Sequence, residues 1–321
     1  MRARANAGAN IAFIKYWGVR DPEFNIPLND SVSMTLDAAR TTTEVEFSPR
    51  LDADELTING QPASPAARAR VSRHLDLLRE RAGVPWRARV DSWNTFPMGA
   101  GLASSAAAFA ALTAAAAAAL GLRLSERELS RLARRGSGSA ARSIYGGYVW
   151  WHAGHDDASS FAEPLAPPEH WNLRDIVAVV AEEEKAVSSA EGHRLAHTSP
   201  FLEARLAQVE RLLARVRRAI QQRDLTLLGP CLEADALAMH FVMMSSTPPL
   251  FYWAPETVAL IKAVHAWRDG GLPVYFTIDA GPNVHLICEV ADAERVIARV
   301  RALSYVRDII VAGPGEGVVL E

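Results

Sequence analysis

Residues 96–106 read Phe96-Pro-Met-Gly-Ala-Gly-Leu-Ala-Ser-Ser-Ala106, a glycine-containing turn opening onto a run of alanines. Arg87 to Ser92, before it, has strand character. Ala103 to Leu120, after it, is an unbroken series of strong helix formers closed by Gly121 in the C′ role. A strand, a turn of small residues and a buried helix, in that order, present the N–H groups of a helix N-terminus to whatever occupies the turn. That terminus carries the positive end of the helix dipole and suits phosphate, while glycine lets a ligand approach the backbone. Gly99, Gly101, Leu102, Ala103, Ser104 and Ser105 are therefore candidate nucleotide contacts, and the Ser105 hydroxyl is a candidate Mg²⁺ ligand. A Walker loop is excluded, because Gly-x-x-x-x-Gly-Lys-[Ser/Thr] is absent. Taken alone, the segment is as readily a plain turn into a capped helix.

Working outward, Asn10 to Tyr16 mixes β-branched and aromatic residues and is followed by Gly18 and Asp21-Pro22, which gives a strand and then a loop. Ser31 to Leu36 and Thr41 to Phe47 read as two further strands, Leu56 to Gly60 as a short hairpin edge, and Ala66 to Arg81 as a surface helix. Ser125-Glu-Arg-Glu128 is a capping box for a helix ending at Gly136, and Tyr148 to His152 is a strand. Composition shifts to Pro and Glu around Pro164 to Pro168, which suggests units over 1–170 and 171–321. In the second, Ile176 to Ala181 reads as a central strand buried on both faces. Helices near 200–222, 225–243 and 255–269 follow, then strand, strand, helix and strand from Val274 to Ala312.

A chain of 321 residues favours two domains, and 49% apolar with 22% charged residues fits neither disorder nor a fibre. Net charge is −3 with the signs interspersed, so no overall field attracts nucleic acid or an anionic membrane, and any anion must be bound locally. Cys231 and Cys288 are too few for a disulfide framework or a thiolate metal cluster. No apolar h-region follows Met1, and Ala106 to Leu122 is too alanine-rich for a membrane span, so the expectation is a soluble, cytoplasmic protein.

Three more segments carry chemistry. In Asn10-Ile-Ala-Phe-Ile-Lys-Tyr-Trp-Gly18, Lys15 and Tyr16 offer a charged and a neutral donor at a strand end. In Gly136-Ser-Gly-Ser-Ala-Ala-Arg-Ser143, the Ser137 and Ser139 hydroxyls precede Arg142, whose guanidinium suits a carboxylate or phosphate. In Thr277-Ile-Asp-Ala-Gly-Pro-Asn283, Asp279 ends an apolar strand, where a carboxylate can be poised as a base. Each has a plain alternative: a solvated lysine, a surface arginine, an aspartate bonded to its own turn. His193 and His197 are spaced like helix-borne metal ligands, but no Glu follows His193 and no third ligand is evident. Neither Ser104 nor Ser105 sits in Gly-x-Ser-x-Gly, which disfavours a serine hydrolase.

Taken in chain order, these segments, with Lys185-Ala-Val-Ser-Ser-Ala-Glu-Gly192 and Thr198-Ser199, resemble the GHMP kinase superfamily and, within it, the mevalonate diphosphate decarboxylases. Gly-Leu-Ala-Ser-Ser marks only the superfamily, whereas Lys-Tyr-Trp-Gly with Gly-Ser-Gly-Ser-x-x-Arg is particular to the decarboxylases. The resemblance implies an α+β protein with a ribosomal-S5-type N-terminal domain, a ferredoxin-like C-terminal domain and an active site in the cleft between them. It also implies ATP and Mg²⁺, a phosphorylated mevalonate as substrate, and a homodimer. The implied reaction phosphorylates the tertiary 3-hydroxyl, after which the 3-phosphate and CO₂ leave. Asp279 would then orient or deprotonate that hydroxyl, Arg142 would clamp the C1 carboxylate with Asn10 holding the arginine, and Lys15 would neutralise developing charge. Tyr16, Ser137, Ser139 and Ser199 would contact the substrate, and Lys185 the nucleotide.

One departure bears on the substrate. After Lys-Tyr-Trp-Gly the diphosphate-using enzymes usually carry a lysine that contacts the diphosphate, and here the residue is Val19. Losing a charge-assisted contact, about 1.5–3 kcal/mol, favours mevalonate 5-phosphate modestly over the 5-diphosphate unless Arg20 compensates. Met98 and Glu184 stand where the family often has threonine and lysine. A kinase that stops before decarboxylation and a non-catalytic binding protein are the alternatives, and Arg142 with Asp279 disfavours the first.

Overall fold

The computed structural model describes residues 1–95, 104–181 and 187–321. The first sheet begins with β1 (Arg2–Ile14), followed by the small hairpin β2 (Val19–Asp21) and β3 (Ile26–Pro27), then β4 (Ser31–Ser48). The hairpin of β5 (Glu55–Ile58) and β6 (Gln61–Pro62) turns at Asn59 and Gly60, both with positive φ, as an Asn-Gly turn favours. Helix α1 (Pro65–Ala82), β7 (Arg87–Asn94), α2 (Ser104–Ala119), α3 (Glu126–Gly136), a 3₁₀ turn (Gly138–Ile144), β8 (Tyr148–Trp151) and β9 (Ala162–Ala166) follow. The segments expected as two strands, Ser31 to Leu36 and Thr41 to Phe47, are one strand. Its register against β1 shifts between Gly8 and Asn10, where Asp37 is drawn off to bond Gly313.

The second sheet is built from β10 (Leu173–Val179), then, after α4 (Ser189–Leu195), α5 (Leu202–Gln222), α6 (Leu225–Met244) and α7 (Pro255–Asp269), from β11 (Tyr275–Thr277) and β12 (Val284–Glu289), and after α8 (Ala293–Arg301) from β13 (Asp308–Ala312). Its order is β11-β12-β10-β13, all antiparallel, with β10 interior and largely buried. That is the βαββαβ arrangement of a ferredoxin-like unit. The chain then returns to the first sheet, where β14 (Val319–Leu320) pairs with β1.

Alanine makes the first layer thin. In α2, Ala106, Ala107, Ala110, Ala111, Ala115 and Ala116 are fully buried, so the helix lies close on the sheet and its first turn is fixed by packing. A second core joins the two sheets: Ile11, Phe13 and Met34 from the first pack with Val209 and Leu212 of α5 and with Val177 and Ile287 of the second. The ends of β1, α2 and β11 thereby open onto one cleft.

Candidate active site

The cleft has a volume of about 540 Å³. Its walls include Asn10, Lys15 and Tyr16 from the end of β1, Ser104 and Ser105 from the start of α2, Ser137, Ser139 and Arg142 from the 3₁₀ region, and Asp279 from beyond β11. Segments separated by up to 269 positions thus line one cleft. Gly99, Gly101, Leu102, Ala103 and Lys185 lie outside the described residues, as do Met98 and Glu184.

Lys15 is 2% exposed and its Nζ lies 2.5 Å from Asp279 Oδ1, whose side chain is 25% exposed, so the lysine is buried and the carboxylate faces the cleft. The backbone of Lys15 is gripped at both ends. Its N–H donates to Asp235 Oδ2 at 2.5 Å, and its carbonyl accepts from Arg205 Nη2 at 2.9 Å and Asn29 Nδ2 at 3.0 Å. Asp235 and Arg205 are themselves a buried pair at 3.1 Å. Such a pair contributes little net stability but strongly resists the loss of either partner. Sequence reading missed both, since they sit singly in otherwise ordinary helices.

Arg142 is 3% exposed. Its Nε and Nη2 donate to Asn10 Oδ1 at 3.2 and 2.9 Å, and its Nη1 to Ser31 Oγ at 2.6 Å. Asn10 is held in turn, donating to Ser143 Oγ at 2.8 Å and to the Ser139 carbonyl at 3.2 Å. A guanidinium has five N–H donors, so each terminal nitrogen keeps one for a ligand, the geometry of a bidentate carboxylate contact. Burial pulls the Arg142 pKa down to about 10, with Asp279 and Tyr16 acting in the opposite sense, and the group stays charged at neutral pH.

Ser105 Oγ lies 3.1 Å from Ser137 Oγ, which ties the start of α2 to the third segment. Gly138 faces the Tyr16 ring so closely that a Cβ there would stand 2.5 Å from it, which explains the glycine between the two serines. Beside Ser104 and Ser105 an apolar pocket of about 200 Å³ opens, lined by Leu56, Ile58, Val71, Val90, Phe109 and Leu112 among others. Arg70 borders both this pocket and the cleft.

Ser199 is not brought to the cleft: its Oγ shares a hydrogen bond with Ser245 Oγ at 2.7 Å and accepts from the Phe201 N–H. Ser188 and Ser189 line it instead. Val19 is 6% exposed and forms part of the wall, while Arg20 donates to the Gly154 carbonyl at 2.9 Å. His193 and His197, four apart, both bond backbone near Val19: Gly18 N–H donates to His193 Nδ1 at 3.0 Å, and His197 Nε2 donates to the Val19 carbonyl at 2.7 Å. Burial pushes the His193 imidazole down to about 3, so it is neutral.

Comparison with known proteins agrees with this geometry. Residues 7–162 match the diphosphomevalonate decarboxylase-like N-terminal domain, and residues 175–310 the mevalonate 5-diphosphate decarboxylase C-terminal domain. The diphosphomevalonate decarboxylase of Aspergillus fumigatus is 39% identical over 324 residues, covering 94% of this chain and 80% of the relative. The human one is 37% identical over 299 residues, covering 86% and 74%. Mevalonate diphosphate decarboxylase from Staphylococcus aureus superposes with a TM-score of 0.95 at 40% identity, covering 100% of this chain and 98% of that one. A structure of the Enterococcus faecalis enzyme does so with a TM-score of 0.93 at 39% identity, covering 100% and 99%. With both halves matched in order and the cleft built from the expected segments, the chain belongs to the diphosphomevalonate decarboxylase family, ATP-dependent carboxy-lyases of the GHMP kinase fold.

Proposed function

We propose that the protein decarboxylates mevalonate 5-phosphate in an ATP- and Mg²⁺-dependent reaction, releasing isopentenyl phosphate, CO₂, ADP and phosphate. The observation that carries the choice of monophosphate is the wall at Val19, an apolar side chain in the cleft whose charged neighbour Arg20 is bonded to Gly154. A similar structure of 40% identity is described in complex with MVAPP, AMPPCP and magnesium, which supports nucleotide and Mg²⁺ as the second reactant. The residues present fit that reactant: the apolar pocket suits a nucleobase, and Ser104 and Ser105 offer hard hydroxyl oxygens at a helix N-terminus. When bound, ATP–Mg²⁺ supplies the phosphoryl group and part of the positive charge that its transfer requires.

The chain's own residues do the rest. Asp279, facing the cleft, accepts the proton of the 3-hydroxyl or orients it. Lys15, fixed by Asp235 and Arg205, balances the charge on Asp279 and on the departing 3-phosphate. Arg142 holds the C1 carboxylate so that the C1–C2 bond lies ready to break. Its electron pair becomes the C2–C3 double bond as the C3–O bond to phosphate cleaves, and the product is an alkene. Tyr16, Ser137 and Ser139 line the wall along which the substrate lies. The test is stoichiometry: ADP and CO₂ released one to one from mevalonate 5-phosphate. ADP without CO₂ would make the protein a kinase and sink the proposal.

A further inference from the structure

His193 is held in the cleft wall by two aromatic rings and a backbone N–H. Its ring stacks on Tyr16 with centroids 4.0 Å apart and lies 4.6 Å from the Trp17 ring. Helix α4, which carries it, sits close against Trp17: a Cβ on Gly192 would fall 2.5 Å from the indole. The Gly18 N–H donates to Nδ1, and the ring is neutral, so its one proton resides on Nε2. No described residue accepts from Nε2. The side chain lines the same cleft as Val19, Ser188, Ser189 and Arg194. The structure therefore presents, next to the position that lacks a lysine, a neutral ring N–H donor whose other nitrogen is fixed by the backbone of Gly18.

We infer that His193 is a specificity-determining residue whose Nε2–H donates to an oxygen of the substrate's 5-phosphate. The inference deepens the proposed function and rests on it for the identity of the substrate. A fixed neutral donor satisfies one phosphate oxygen without supplying the further positive charge that a longer phosphate chain needs. Tyr16 and the Gly18 N–H serve to aim the ring.

Two variants separate this role from a structural one, because asparagine places its amide near Nδ1 and glutamine near Nε2. His193→Asn keeps an acceptor for the Gly18 N–H and loses the donor. Its KM for mevalonate 5-phosphate is expected to rise about tenfold or more with kcat little changed, as loss of a hydrogen bond to a charged group implies. His193→Gln restores a donor near Nε2 and is expected to recover most of that loss. In the wild-type protein, the Nε2–H resonance of His193 should shift on titration with mevalonate 5-phosphate. Wild-type KM in H193N with a raised KM in H193Q, or an unmoved resonance at saturating substrate, overturns the inference. Should the wild-type enzyme favour the 5-diphosphate, the substrate proposal fails separately, and the same pair of variants assayed on the diphosphate still decides whether His193 donates.

Discussion

Asn10→Asp changes one atom of the site and reverses its electrostatics. Asn10 Oδ1 receives two N–H bonds from Arg142, both buried. An aspartate there would accept the same two bonds, now as an ion pair, and would give up the Nδ2 donations to Ser143 Oγ and the Ser139 carbonyl. Pairing a buried guanidinium and losing two neutral bonds offset each other, so folding stability should move by no more than about 2 kcal/mol. Catalysis should not survive as well. With the C1 carboxylate on the free N–H groups of Arg142, the new carboxylate would lie roughly 6 Å from it, on the neighbouring edge of the guanidinium. Two unit charges at that distance with an effective dielectric of about 20 repel by about 3 kcal/mol, which is about two orders of magnitude in kcat/KM. The assay is coupled ADP release at saturating ATP, with a denaturant melt as the folding control. Activity within threefold of wild type in a folded N10D protein would refute the assignment of Arg142 as the carboxylate clamp.

Asp279→Asn should lower ADP and CO₂ release together by about 10²–10⁴-fold while substrate binding, read by calorimetry, persists; retained turnover removes Asp279 from the chemistry. Ala108→Phe, placed in the apolar pocket beside α2, should raise KM for ATP several-fold and leave KM for the mevalonate substrate unchanged; a change in the second alone would show that the nucleoside binds elsewhere. Burial holds the His74 and His240 imidazoles down at about 3, well below the unfolded value of about 6.5. Since the folded value is the lower, the unfolded chain binds more protons between these limits. Their contribution is complete above about pH 6.5 and is lost as pH falls toward 3. From pH 7.5 to 5.5 the loss is on the order of 1 kcal/mol per histidine, visible as a lower urea midpoint, and a midpoint that stays level would contradict it.

The candidate site was legible where its residues stand at the ends of regular elements. Lys15 and Tyr16 follow β1 and Ser104 begins α2, while Arg142 lies in the turn after α3 and Asp279 just past β11; a strand end or helix start is visible in a sequence as a change of pattern. What supports those residues was not visible. Asp235 and Arg205 carry no motif and acquire their meaning from contacts 220 and 190 positions away along the chain. His193 and His197 were noticed for the wrong reason, because i,i+4 spacing says that two side chains share a helix face and nothing of what that face meets. In the fold, the Pro- and Glu-rich stretch around Pro164 to Pro168 read as a boundary between units, whereas Ala162–Ala166 is an edge strand that pairs only with β8, a position where proline is tolerated. The single long β4 was split by residues that bond outside the ladder.

How many phosphates the substrate carries is tested most directly by kcat/KM for mevalonate 5-phosphate and mevalonate 5-diphosphate, measured side by side at saturating ATP with CO₂ trapped. The apolar wall at Val19 predicts a preference of at least about tenfold for the monophosphate. Equal values, or a higher one for the diphosphate, would contradict it.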